Sequence, residues 1–404
     1  MRVPLSTPLD LTYCTNVHRG ESWDEVRLAL HEHVAEVKRR VCPDAPFGVG
    51  LRLGVEAVRD LEKPGGLDEL REELRELGLY VFTLNGFPYG AFHGTRVKER
   101  VYRPDWREPE RLEYTLGLAR ILAAVLPSGS VGSISTVPGC FRPEAAAPGA
   151  RDQIADNLCR AAVELWRIEQ RTGACINLAL EPEPCCLLET NAEALAFFQE
   201  YVFAPERRVA FSEATGVASK DAEAALRRHL GVCLDACHAA VEFESPLAAF
   251  RALRSAGIAV PKIQVSAGLR LREPDRESLA ELGEFADEVY LHQVVIEQPS
   301  SCGALALSRF LDLPDAFAAA RNGSKDCEWR VHFHVPVFEP VLGRFLSTQD
   351  ELRQLLLSAE LDGSELEVET YTFGMLPERY RNLPVAAAVA RELEWTLGVL
   401  GSRS

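Results

Sequence analysis

The chain of 404 residues carries 44 Lys and Arg against 60 Asp and Glu, a formal net charge of −16, with 47% hydrophobic and 26% charged residues. A surface of that sign repels phosphate backbones and argues against a nucleic-acid binder, while the apolar fraction can fill a large globular core. The 11 cysteines are odd in number and scattered without a C-x-x-C, so they read as reduced thiols of a cytoplasmic protein, not a disulfide framework; no apolar run of about 18 residues predicts a membrane span, and MRVPLSTPLDLTYCTN lacks the apolar core of a secretory signal.

In chain order, short apolar and β-branched runs alternate with long helical patterns. The candidate strands are LTYCTN (11–16), FGVGLRL (47–53), YVFTLNG (80–86), SVGSIST (130–136), CINLALE (175–181), VCLDA (232–236), KIQVSAG (262–268), WRVHFHVPVF (329–338) and LEVETYTF (366–373). Between them lie punctuated helices. Ser22-Trp-Asp-Glu25 is a capping-box pattern opening the stripe Val26, Leu30, Val34, Val37 and Val41. Leu67, Leu70, Leu74 and Leu77 form a stripe stopped by Gly78, and Ile154, Leu158, Ala162, Leu165 and Ile168 one stopped by Gly173. Ser245-Pro246 places a cap and a first-turn proline before Leu247, Phe250 and Leu253, and Thr348-Gln-Asp-Glu351 is another capping box.

Strand–helix alternation implies parallel strands joined by right-handed crossovers. Both a closed barrel and an open doubly wound sheet satisfy it. The missing G-x-G-x-x-G after the first strand and the polar residues at several strand ends favour a (β/α)8 barrel in one domain, 1–404. Nine strand-like segments are one too many, and 270–328 reads as an inserted hairpin or small lobe containing VYLHQVV (289–295) and a Ser/Gly-rich segment at 300–303. Arg96, Lys98, Arg100 and Arg103 beside Tyr102 and Trp106 form a local basic patch, either a solvated face or a lobe that meets an anionic substrate.

Chemistry concentrates at strand ends. NLALEPEP ends in Glu181 and Glu183, VCLDACH supplies Asp235 and His238, KIQVS supplies Gln264, and LEVETYTF supplies Glu369. A cation at a barrel mouth needs oxygen or imidazole ligands from strands far apart in sequence, and a carboxylate closing an apolar strand is costly unless paired or coordinated. Taken singly, Asp235 also suits a helix N-cap and the glutamates suit ion pairs. His332 and His334, two apart in VHFHV, leave one face of a strand and could bind substrate or a second cation. His93, Asn16 and Asn85 follow strand ends and are candidate pocket-lining residues. Cys185, Cys186, Cys233 and Cys237 offer the rival of a thiolate site, against the ordinary role of cysteine as a small buried hydrophobe.

Several of these segments resemble a known superfamily. ALEPEPCCLLETNAEA resembles the strand and loop of sugar epimerases and hydroxypyruvate isomerases, LDACHAAVEFESP their L-D-x-x-H-x-x-x-E-E segment, KIQVS their glutamine-bearing strand, and LEVET their final strand. The resemblance spans about residues 170–375 and implies a xylose-isomerase-like barrel. Its ligands would be Glu181, Asp235, Gln264 and Glu369, with His238 touching substrate. Lys262 stands where those isomerases often have histidine. LTYCTNVHRGESW, FPYGAFHG, LHQVV and VHFHVP resemble a narrower group, the metabolite-traffic proteins called EboE.

The implied function is isomerisation or epimerisation of a small sugar or 2-hydroxy carbonyl compound. One divalent cation would act as Lewis acid toward an enediolate, and Glu181 and Glu369 would shuttle the proton. Mixed oxygen ligation favours Mn²⁺ or Mg²⁺ over Co²⁺ or Zn²⁺. The alternatives are a metal-dependent phosphoester hydrolase on the same barrel and a non-enzymatic protein that binds a metabolite and hands it on to pathway partner proteins.

Overall fold

The computed structural model describes residues 1–3, 9–94, 96–300, 305–319, 326–358 and 360–403; residues 301–303 of the Ser/Gly-rich segment lie outside them. Eight of the expected strands are barrel strands: β1 (Leu9–Tyr13), β2 (Phe47–Arg52), β3 (Leu79–Asn85), β4 (Val131–Thr136), β5 (Cys175–Leu180), β6 (Leu230–Asp235), β7 (Ala259–Val265) and β8 (Glu365–Val368). Each pairs in parallel with its chain neighbour from β2 through β7, β8 joins β7 to β1, and a parallel bridge between Cys14 and Gly50 closes β1 onto β2. The ring has no open edge, so this is a (β/α)8 barrel, as the alternation implied. A two-residue strand, Arg2–Val3, adds antiparallel to β1.

Local chemistry forms the helices where the punctuation lies. Ser22 and Glu25 make both bonds of their capping box. Gly78 and Gly173 end their helices at φ 63° and 77°, a left-handed conformation that glycine adopts without a Cβ penalty. Ser245 caps the helix that Pro246 opens. The expected box at Thr348 does not form. The Thr348 hydroxyl instead accepts from Gly268 N–H at 2.9 Å, and Glu351 pairs with Arg330 at 2.9 Å, so both residues tie the helix Gln349–Leu356 to distant segments. No helix among the described residues is long and apolar enough to cross a membrane.

Between β7 and β8 the chain builds a second, antiparallel sheet of six strands, running from Leu269 to Ser347. This is the lobe expected near 270–328. Its hairpin pairs Val294–Pro299 with Leu305–Phe310. WRVHFHVPVF, read as a ninth strand, belongs here: only Glu328–Val331 is strand, flanked by Val294–Pro299 and Leu269–Arg272. After Val331 the chain turns back over the barrel, held by His332 N–H to Gln293 O and Val335 N–H to Ala267 O, both 2.8 Å.

The barrel interior is unusually polar. Lys262 and Glu367, each fully buried, meet at 2.8 Å, with the Lys262 ammonium 3.3 Å from Ser135 Oγ. Gly50 makes room for this pair, since a Cβ there would overlap the Glu367 carboxylate. Burial, the largest influence, would lower the Lys262 pKa, but Glu367 and the neighbouring groups together raise it, so the ammonium stays charged. Removing one partner of a buried pair strands a charge, whereas replacing both with apolar groups is often neutral. Lys262→Met is therefore expected to destabilise the fold by about 3–5 kcal/mol in urea denaturation, and Lys262→Met/Glu367→Leu to recover most of it. A single variant as stable as the native chain contradicts the pairing.

Candidate functional site

The C-terminal ends of the barrel strands carry the candidate residues one step beyond the ladder. Glu181 N–H bonds Thr136 O at 3.0 Å and Glu369 N–H bonds Val265 O at 3.2 Å, so β4 and β7 fix where each carboxylate leaves its strand. Asp235, the last residue of β6, is an N-cap and something more. Its Oδ1 accepts from His238 N–H and from Ser266 Oγ, both at 2.8 Å, and its buried Oδ2 has no hydrogen bond. Glu181 Oε2 and both amide atoms of Gln264 are likewise buried without partners. Such orphans are costly, each about 1–3 kcal/mol and more when charged.

Three histidines complete the cluster. His238 Nε2 lies 3.0 Å from His332 Nε2, which lies 3.2 Å from His334 Nε2. Each ring's Nδ1 faces an acceptor. His238 Nδ1 meets Pro182 O at 2.9 Å and His334 Nδ1 meets Glu369 O at 2.6 Å. His332 Nδ1 meets Gln293 Oε1 at 2.7 Å, while that amide's Nε2 donates to Tyr102 Oη and Glu183 Oε1. Carbonyl acceptors place the proton on Nδ1 in all three rings, so three Nε2 lone pairs converge. Asp235 Oδ2 stands 3.7 Å from His238 Nε2 and 3.9 Å from His334 Nε2. Two of the groups able to hold a cation are His238–His332–His334 and Glu181–Asp235–His238. A third joins Asp235 and His334 to Cys237, whose burial raises its thiol pKa well above the ordinary value.

Burial also dominates the titration of the cluster. It pushes His332 far below the ordinary imidazole value and His334 down to about 4. Burial would lower His238 too, but Asp235, Glu183 and Glu181 around it raise it. Burial raises Glu181 to about 7, and raises Glu369 with Glu181 and Asp235 adding to it.

The remaining expected residues divide. Asn16 and Asn85 both donate to Glu369 Oε1, at 2.7 and 3.0 Å, and line the pocket above the cluster with Glu181, His238, His332 and Glu369. His93 stands behind that wall, its ring nitrogens meeting Asn16 O at 2.8 Å and Tyr290 Oη at 3.0 Å. Gln264 sits beside Asp235 in register but below the pocket. The basic patch is partly neutralised: Lys98 pairs with Asp312 at 2.6 Å and Arg103 with Glu108 at 2.8 Å. Sequence reasoning named Tyr102 only beside the basic patch and did not single out Gln293, Tyr290 and Tyr371, although VYLHQVV and LEVETYTF contain these three.

No family model and no curated protein matches the chain. Among solved structures it is similar to the probable 3-DHS dehydratase AsbF of petrobactin synthesis from Bacillus anthracis, at TM-score 0.48 and 13% identity over 98% of this chain and 100% of that one. It is similar to a D-tagatose 3-epimerase-like protein at TM-score 0.48 and 13% identity over 97% and 98%, and to the IOLI protein with a binding zinc atom at TM-score 0.45 and 13% identity over 98% and 99%. At those values the likenesses assign no ligand or reaction to this chain, and its own strand pairing establishes the barrel.

The tautomers can be read directly. In nitrogen–proton correlation spectra of metal-free protein near neutral pH, His332 and His334 are expected neutral with the proton on Nδ1, and His238 is expected to keep a second proton to a pH above 6.5. A Nε2–H tautomer at His332 or His334 contradicts the convergence.

Proposed function

We propose that the chain is a metal-dependent isomerase or epimerase that moves a proton at the carbon beside a carbonyl of a small hydroxy-carbonyl compound. The observation that carries this is the convergence of three Nε2 lone pairs beside the orphaned Asp235 Oδ2. Neutral imidazoles 3.0 and 3.2 Å apart repel unless a proton or cation lies between them. Each ring is also held through its other nitrogen, the usual support of a metal-bound histidine. His238, His332, His334 and Asp235 would hold the cation, with Glu181 at its side. This imidazole-rich set suits Zn²⁺ or Co²⁺ better than the Mn²⁺ or Mg²⁺ of an oxygen-only set.

When bound, the cation supplies Lewis-acid polarisation of the carbonyl. The chain's residues handle the proton. Glu181, raised to about 7, is poised near neutrality to accept and return it. Glu369, held by Asn16 and Asn85 through one oxygen and raised by burial and by the neighbouring Glu181 and Asp235, faces the same pocket as the acid partner. The resemblance of the strand-end segments to sugar epimerases and hydroxypyruvate isomerases supports the same reading.

Two outcomes are expected. Zn²⁺ binding should release protons as pH falls toward the His238 range, because binding needs the neutral imidazole; affinity drops in the acid direction. Calorimetry in buffers of different ionisation enthalpy measures this, and pH-independent binding contradicts it. Glu369→Gln should keep the cation while slowing deuterium exchange from D2O into a bound 2-hydroxy ketone by about 10²–10⁴-fold. Unchanged exchange removes Glu369 from the proton path.

A further inference from the structure

We propose that the substrate is a hydroxy-carbonyl compound with a planar, apolar body, and not a free polyol or a phosphorylated sugar; this rests on the proposed reaction. The polar groups of the pocket lie at its floor, where Glu181, Glu369, His238 and His332 face inward. Above them the walls are Phe87, Phe92, Tyr102, Tyr290, Leu291 and Tyr371. Three of these rings form a cage, with Phe92 5.1 Å from Tyr290 and 5.5 Å from Tyr371, and Tyr290 5.3 Å from Tyr371 between centroids. At that spacing the rings pack on one another and present one aromatic wall, against which a flat apolar guest can lie.

Most of the polar atoms on the wall that a sugar chain would need are already engaged. Tyr102 Oη donates to Glu183 at 2.8 Å and Tyr290 Oη bonds Phe92 O at 3.0 Å. Both asparagine amides serve Glu369. Above the carboxylate and imidazole floor, the Tyr371 hydroxyl is open and Asn16 Oδ1 is buried without a hydrogen bond, enough for one or two oxygens on the guest and too little for a row of hydroxyls. A site built to read hydroxyls leaves donors and acceptors waiting for them. Nor does a cation wait for a phosphate. Lys98 is bound to Asp312 at 2.6 Å and Asp287 O at 2.9 Å. Arg52, under the Phe92 ring, is bound to Glu21 and Gly20 O, both at 2.9 Å. The pocket encloses about 550 Å³ out to its open mouth, room for one small guest.

The test is equilibrium binding of 2-hydroxyacetophenone, D-fructose and D-fructose 6-phosphate to zinc-loaded protein, with zinc content measured in the same samples. The aromatic ketone is expected to bind at least about tenfold more tightly than either sugar. Phe92→Ala and Tyr371→Ala should each weaken it severalfold without changing zinc content. Equal or tighter sugar binding, or no binding of the ketone at about 1 mM, overturns the proposal while zinc content stays at one per chain. If the protein takes up no zinc but still prefers the aromatic ketone, the reaction proposed above fails and the pocket's preference stands.

Discussion

The mouth of this barrel is organised around three imidazole lone pairs aimed at one point in a buried interior. Each ring is turned that way by an acceptor on its far side, and two of those acceptors are main-chain carbonyls of strand-end residues, Pro182 and Glu369. The backbone that carries the carboxylates therefore also aims the histidines. Asp235 closes the arrangement. One oxygen is spent on holding the short helix that bears His238, and the other is left facing the rings. Buried donors and acceptors without partners are tolerated where something else satisfies them, and here Glu181, Asp235 and Gln264 orphans sit on neighbouring strands.

Barrel and lobe contribute different parts. The barrel strands deliver Glu181, Asp235 and Glu369 through parallel pairing that is continuous around the ring. The lobe delivers His332 and His334 on the segment that returns to the barrel after Val331, and its Gln293 links His332 to Glu183 and Tyr102. An insertion between β7 and β8 thus completes a centre that the barrel strands alone leave short of imidazoles. The same lobe supplies Tyr290 and Leu291 to the wall, so the histidine cluster and the pocket share one scaffold.

Much of the fold was legible because its signals are local. Short apolar and β-branched runs, capping pairs such as Ser22–Glu25 and terminal glycines such as Gly78 each act within a few residues. The carboxylates at the ends of apolar strands stood out for the same reason. His332 and His334 do converge, but they follow the strand Glu328–Val331 and do not share a strand face as their spacing suggested. What was not legible is long-range. Nothing near Trp329 says that its strand belongs to the lobe sheet, and nothing near Gln293 marks its partner Tyr102, 191 residues away. Thr348 carried a local capping signal that a distant amide, Gly268 N–H, took over. Lys262 looked like a departure from the isomerase pattern; inside the barrel it answers Glu367.

The central claim is that His238, His332 and His334 share one cation with Asp235. X-ray absorption at the zinc edge of zinc-loaded protein tests it most directly. Three imidazole nitrogens are expected at about 2.0–2.1 Å and a carboxylate oxygen at about 2.0–2.2 Å. A first shell of oxygens with fewer than two imidazoles, or no ordered shell at all, would contradict it.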